Sequence, residues 1–286
     1  MTEPPPNVHL ALPGQADNVA LVREVLAGLA DTIDFGRSLD DVKAAVSEAC
    51  NNVVVHAYDG EDGPLEVDVR VRPGELEVVV RDYGSGLASR PDDGGHPDTA
   101  YRGIGLAVIE ALTSQAAYRE DGAHGLEVVM LFEIPDRGDY PEVRGEPPSP
   151  ARGETSDAVV IAIAPPELSA AILNRLVSAL AARSGFSIDR LSDAQLVSDA
   201  LAARVGSFLD GEYVSVGIEA LERALVLRVG RLRAGGSADL VAGSALGEIG
   251  PVLERLTNEL DVSREGEREV LRLVSSDARI AQRSTR

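Results

Sequence analysis

Residues 64–82, PLEVDVRVRPGELEVVVRD, alternate apolar and polar side chains through two runs broken by Pro73-Gly74. A period of two on both sides of a Pro-Gly break predicts an antiparallel strand pair with an apolar face that must be covered. The flanking segments supply the cover. NVHLAL reads as a short strand, and GQADNVALVREVLAGLADTI as a helix with Val19, Val22, Leu26 and Leu29 in one stripe. Ser38 to His56 reads as a second helix. After the strand pair come a long, polar, glycine-rich loop, YGSGLASRPDDGGHPDTAYRG, a helix over GLAVIEALTSQA, and two closing strands, AYRED and LEVVMLFEI. Loops of that length in compact domains are binding lids or disordered. The element order predicts an α/β two-layer sandwich of the α+β kind, with helices packed on one face of a mixed, mostly antiparallel sheet.

The second helix carries an unusual face. In EACNNVVVHAYDG, Glu48, Asn52 and His56 fall four apart and share one side, while Val46, Cys50 and Val53 or Val54 turn to the interior. Asn51 falls off that face and reads as a polar neighbour or a solvent-facing residue. His56 reads as a structural residue at the helix end, and Arg23 as an exposed charge on the first helix. Cys50 is the sole cysteine, which excludes an intramolecular disulfide framework and a multi-cysteine zinc site. Its apolar helical setting favours a small core residue over a reactive thiol.

The formal charge of −20 opposes general affinity for nucleic acid or an anionic membrane surface. Trp is absent and aromatics make up 3%, which argues against a stacking platform for single-stranded nucleic acid. MTEPPPNVHL has no basic region followed by an apolar one, and no run approaches a membrane span. A cytoplasmic protein with no direct nucleic-acid or membrane contact is expected.

Two further segments carry glycines. In RDYGSGLAS a strand ends at Asp82, and Gly84 and Gly86 follow; glycine lets the backbone turn and approach a ligand, while Asp82 can accept a hydrogen bond from an amino group. Alone, an ordinary Asp-Gly turn explains the pattern equally well. In YRGIGLAVIEAL, Arg102, Gly103 and Gly105 stand just before an apolar-periodic helix, whose first amides would seat a phosphate with Arg102 adding bidentate contacts. A solvated lid charge is the plain alternative for Arg102. Neither segment is a GxxxxGK[ST] loop or follows the strand, GxGxxG, helix order of a dinucleotide fold.

Together and in order, the three segments resemble the GHKL (Bergerat) nucleotide-binding fold of histidine kinases, gyrase-type ATPases and bacterial anti-sigma-factor serine/threonine kinases. The last group is most similar: EACNNVVVHAY looks like its N-box, RDYGSGL like its first glycine box and YRGIGLAVIEAL like its second. The resemblance covers Asn7 to Ile134. It implies ATP and Mg2+ as cofactors, Glu48 as the general base, Asn52 as the magnesium ligand, and Asp82 as the acceptor for the adenine amino group. Gly84, Gly86, Arg102, Gly103, Gly105 and Leu106 would surround the nucleotide. The implied activity is phosphorylation of a serine or threonine on a small antagonist (anti-anti-sigma) protein, alternating with restraint of a sigma factor. One departure stands out, since many relatives have Gly-Thr where this chain has Gly125-Leu126. That departure favours the alternative of a nucleotide-binding interaction module without kinase turnover. A histidine-kinase catalytic fragment is the weaker reading, because no pair of long helices presents a histidine and His9 lies in a short strand. The family also allows a homodimer, or here an internal pseudo-dimer.

At 286 residues, two domains are expected. Residues 1–135 would form the ATP-binding kinase domain, and 136–157, rich in Pro, Gly and charge, a linker. Residues 158–275 repeat the element order and would form a degenerate copy of the fold, leaving 276–286 as a tail. Laying AVSEACNN over LVSDALAA sets Glu48 on Asp199 and Asn52 on Ala203, and the strand overlay sets Asp82 on Val229. GEIGPVLERLTNELDVSREGEREVLRLVSS reads as helix-rich and amphipathic.

Overall fold

The computed structural model describes residues 5–36, 39–58, 61–84, 97–120, 125–136, 143–148 and 157–277, with backbone alone for 97–104 and 248. The chain divides into two compact units, Met1–Asp157 and Ala158–Arg286.

The first unit runs β1 (Val8–Pro13), α1 (Ala16–Ala30), α2 (Leu39–His56), β2 (Pro64–Arg72), β3 (Glu75–Asp82), α3 (Pro97–Leu112), β4 (Gln115–Glu120) and β5 (Leu126–Glu133). Its strands lie in the order β1-β2-β3-β5-β4. Each neighbouring pair is antiparallel, so the expected mixed component does not occur inside the unit. Pro73 and Gly74 form the tight turn of the β2–β3 hairpin: Arg72 pairs with Glu75, and Gly74 takes φ +75, which a side chain would resist.

Alternation along the strands separates two faces. Leu65, Val67, Val69, Leu76, Val78, Val80, Met130 and Phe132 are buried together with the α1 stripe, with Val42, Val46 and Ala49 of α2, and with Ile109 of α3. Each large side chain enclosed in this way contributes about 1.5–3 kcal/mol over its exposed state. The alternate positions bring charges opposite one another across strands: His9 faces Asp68, Arg70 faces Glu77, and Arg81 faces Glu127. His9 Nδ1 lies 2.7 Å from Asp68 Oδ1, Arg81 donates to Asp68 Oδ2 at 2.5 Å and to Glu127 at 2.6 Å, and Arg70 donates to Glu77 at 2.8 Å. Burial opposes ionisation of Asp68, but His9 and Arg81 outweigh it and hold the carboxyl below its ordinary range.

Helix α3 corrects one expectation. It begins at Pro97, so Arg102, Gly103 and Gly105 lie within the helix and not ahead of it. Proline at the first helical position followed by an acidic Asp98 is a strong start signal. Interior glycines weaken a helix by about 1 kcal/mol each without ending it.

The second unit runs β6 (Val159–Ile163), α4 (Ser169–Arg183), α5 (Ile188–Ala202), β7 (Val214–Leu221), β8 (Ala224–Leu232) and α6 (Gly236–Gly243). A two-strand ribbon follows, β9 (Ala245–Leu246) with β10 (Gly250–Pro251), then α7 (Val252–Arg255), β11 (Glu259–Glu265) and β12 (Arg268–Ser276). Its main strands lie in the order β6-β7-β8-β12-β11, again antiparallel throughout. This is the threading of the first unit's strands, met a second time.

Two readings of this unit change. The helix-rich reading of the last stretch fails, because its helical pieces are two short turns, Gly247–Ile249 and Val252–Arg255, and Glu259–Ser276 is a hairpin. Glu265 pairs with Arg268 across Gly266-Glu267, with Gly266 at φ +67, and Leu271 and Leu273 are buried at a strand's period of two. The overlay of Asp82 on Val229 differs from the count that the two hairpin turns give. In the two hairpins Arg72–Glu75 and Leu221–Ala224 are the equivalent closing pairs, and counting both from the turn sets Asp82 level with Arg231. Arg231 sits at φ +60.

Two contacts fill this unit's counterpart of the polar region. Asp199 Oδ1 accepts from Asn174 Nδ2 at 2.5 Å, and Ala203 lies past the end of α5 as its cap. At the start of α6 the Glu269 carboxylate accepts from the backbone N–H of Gly235 at 2.9 Å and of Ser237 at 3.1 Å. Those two amides, chiefly Gly235, hold Glu269 below the ordinary carboxyl range.

Candidate functional site

Helix α2 organises the site. Its interior face, with Val42, Val46, Ala49, Cys50 and Val53, is buried, which leaves Glu48 and Asn52 half-buried on the side and Asn51 exposed. Cys50 is fully enclosed, and burial pushes its thiol up to about 12. Arg23 of α1 is exposed, and His56 is the last residue of α2.

Glu48 meets α3. A β-carbon at Gly105 would strike the Glu48 side chain, lying 3.3 Å from Cγ and closer to the carboxylate. A side chain at Gly105 would make the Glu48 carboxylate shift, so the second glycine segment is set beside the acid of the first. Leu106, next along α3, is half-buried. Arg102 and Gly103 lie one turn or less upstream in the same helix, with their side-chain surroundings outside the described residues.

Asp82 is built at the other end of α2. Its buried carboxylate accepts through Oδ1 from Gly84 N at 2.9 Å and from Leu126 N at 3.3 Å. Among the described residues, Oδ2 takes no hydrogen bond. Burial raises the Asp82 pKa, partly offset by the Gly84 and Leu126 amides. Gly84 packs so tightly on the Ala57 carbonyl, where α2 ends, that any side chain would displace it. Gly125, at φ +112, lies equally close to the Asp82 backbone. Leu126 thus serves Asp82 through its amide, which any residue but proline supplies. Gly86 lies outside the described residues.

Along α2, Glu48 and Ala57 are separated by about 13 Å at 1.5 Å rise per residue. The site is therefore long. One end holds a carboxylate beside a glycine-bearing helix, and the other holds an acceptor carboxylate with an open oxygen.

Sequence reasoning missed Tyr58. Its hydroxyl donates to Pro64 O at 2.5 Å and accepts from Tyr83 N at 2.8 Å, and its ring occupies the space that a side chain at Gly63 would need. The signal was an aromatic two residues past the helix, among glycines. Val55, 61% exposed, falls seven residues after Glu48 and so returns to the same face of α2.

Known proteins are similar to the first unit. The profile of the Histidine kinase-like ATPase domain family matches residues 12–132, inside the first unit. The serine-protein kinase RsbW of Halalkalibacterium halodurans is 31% identical over 139 residues, spanning 45% of this chain and 85% of that protein. RsbW of Bacillus pumilus is 31% identical over 136 residues, 43% of this chain and 83% of its own. RsbW of Bacillus mycoides is 31% identical over 137 residues, 44% and 84% respectively. One solved structure, crystal form I of TP0453, covers 95% of this chain at 12% identity and a TM-score of 0.37, which carries no argument. With Glu48, Asp82 and Gly105 placed as described, and with relatives covered over most of their length, the chain belongs to the histidine kinase-like ATPase family that includes the RsbW serine-protein kinases.

Proposed function

We propose that the first unit is an ATP-dependent serine/threonine protein kinase that phosphorylates a small antagonist protein and, in its other partner state, restrains a sigma factor. The observation that carries this reading is the long site along α2, with Glu48 against Gly105 at one end and Asp82 at the other. A ligand satisfying both ends must carry an amino-bearing base and a remote reacting group, as a nucleoside triphosphate does. The relatives' printed name, serine-protein kinase, supports the same class.

The residues fit the group. Asp82 offers its open oxygen to the base amino group, while Gly84 keeps the backbone low at the strand end. Arg102, Gly103, Gly105 and Leu106 belong to the helix that adjoins Glu48, the place for the phosphates, and Gly86 completes the first glycine pair. Asn52, one turn from Glu48 and half-buried, would hold Mg2+ through a neutral carbonyl, which adds no charge to a site crowded with phosphate. Bound Mg2+-ATP supplies the transferable phosphoryl group and neutralises its developing charge. Glu48 then accepts the proton of the substrate hydroxyl as that oxygen attacks in line.

The second unit is read as a copy of the same architecture that has lost nucleotide chemistry. Its strand order matches that of the first unit, but counting the hairpins from their turns sets a cation, Arg231, level with Asp82, and the sequence overlay sets Ala203 on Asn52. Asp199 is tied to Asn174, and the amides at the start of α6 are taken by Glu269. The charge of −20 complements the basic surface of a DNA-binding sigma factor and would speed encounter with it. No helix among the described residues is long and apolar enough to cross a membrane, and a cytoplasmic setting fits these partners.

A nucleotide-binding interaction module without turnover is the second reading, favoured by Leu126 and by the second unit's lost acceptors. Partners captured from the native cytoplasm with and without Mg2+-ATP supply the substrate for a labelled-phosphate assay. Transfer to a small captured protein, lost in Glu48→Gln while calorimetry shows ATP still bound, supports the kinase. Tight binding with no labelled product supports the module. Undiminished transfer by Glu48→Gln removes the general-base role.

A further inference from the structure

The last cross-strand pair of the β2–β3 ladder at its open end is Leu65 with Asp82. The next rung would join the backbones of Pro64 and Tyr83. The Tyr58 hydroxyl stands there instead, donating to Pro64 O at 2.5 Å and accepting from Tyr83 N at 2.8 Å. A phenol inserted in the ladder holds β3 away from β2 just after Asp82. The next residue, Gly84, then lies on the Ala57 carbonyl and returns its own N–H to Asp82 Oδ1.

The ring is fixed as firmly as the hydroxyl. A β-carbon at Gly63 would sit on the Tyr58 ring, one at Gly14 would reach it at 3.9 Å, and Gly14 N donates to Gly63 O at 2.7 Å. Gly63 thus makes the slot, and the side chain that fills it comes from the second residue past α2. Tyr83 turns its own hydroxyl outward to Glu66 at 2.7 Å, so only its amide engages Tyr58.

We propose that Tyr58 is a positioning residue for base recognition: through the Tyr83–Gly84 backbone it sets the Asp82 carboxylate at the angle that accepts a purine amino group. The inference rests on the nucleotide reading of the site. It adds a specific consequence, that losing one hydroxyl distant from the phosphates alters which base is preferred. Burial pushes the Tyr58 hydroxyl up to about 12, so it remains a donor at neutral pH.

The test compares ATP with inosine triphosphate, which lacks the amino group, by calorimetry on the full-length wild type and on Tyr58→Phe. The expected result is preference for ATP in the wild type. In Tyr58→Phe, ATP affinity falls about threefold to tenfold, the scale of one hydrogen bond, with inosine triphosphate affinity unchanged. Equal weakening of both nucleotides, or of neither, overturns the positioning role while leaving the nucleotide reading intact. A wild type that binds ATP no better than inosine triphosphate overturns both. Amide exchange on the wild type gives a check that needs no variant: a protected Tyr83 N–H supports the inserted rung, and a freely exchanging one sinks it.

Discussion

Gly105 and Glu48 are in contact across the α2–α3 seam, where a β-carbon on the glycine would come to 3.2 Å from the Glu48 carboxyl carbon. Gly105→Ala therefore sets two effects against each other. Alanine favours the helix by about 1 kcal/mol, while the carboxylate must swing aside. Since a misplacement of about 1 Å can cost on the order of 10²-fold in rate, phosphate transfer should drop by about that factor while the urea midpoint stays nearly unchanged. Single-turnover transfer and equilibrium unfolding on the same variant measure both.

Asp82 predicts a pH dependence. Its folded pKa is raised by burial, so any stability this group contributes is fully present below its unfolded value, about 3.9, and is lost as pH rises through the folded one. Binding runs the opposite way, because a protonated carboxyl no longer accepts from the base. ATP affinity should weaken as pH falls through the raised pKa, and Asp82→Asn should bind weakly with that dependence gone. Calorimetric titrations between about pH 4 and pH 8 decide it.

Asp68 has the reverse sign. With His9 and Arg81 holding its pKa down, its contribution is present above the unfolded value near 3.9 and is lost as pH falls through the lowered one. Asp68→Asn removes one of the carboxylates that Arg70 and Arg81 face, while Glu77 and Glu127 remain with them. Losing the charge-assisted bond to Arg81 costs about 1.5–3 kcal/mol. Urea unfolding at pH 7 should show that loss, and it should shrink toward acid pH.

The second unit should bind no nucleotide. Equilibrium dialysis of the full chain with Mg2+-ATP is expected to saturate at one ATP per chain, and Asp82→Ala is expected to remove that single event. Two saturable sites of similar strength would show that the Glu269 carboxylate does not close the α6 end.

Much of the first unit was legible because its signals are local. Alternation over 64–82, the Pro73-Gly74 break and the α1 stripe each specify an element without help from distant residues. Glu48 and Asn52 were visible because polar side chains on a core-facing helix need a partner. The start of α3 was misplaced because glycines at 103 and 105 look like breakers, whereas their use is steric: the clash that Gly105 avoids involves a residue 57 positions away. Tyr58 was overlooked for a similar reason, since its partners Pro64 and Tyr83 are set by strand register. In the second unit the β11–β12 hairpin was hidden by charges spaced as on a helix, until burial of Leu271 and Leu273 by the rest of the sheet fixed the period.

Cys50 turns the α2 core into a clock. Its thiol is the only one in the chain, is wholly enclosed, and is held by burial at a pKa of about 12, so neither access nor thiolate is available while the first unit stays closed. A thiol reagent added to the native protein thus reads out opening events of that unit with no background from the other. Slowing of the reaction by nucleotide would measure in kinetic terms how much the ligand tightens the helix that carries Glu48 and Asn52.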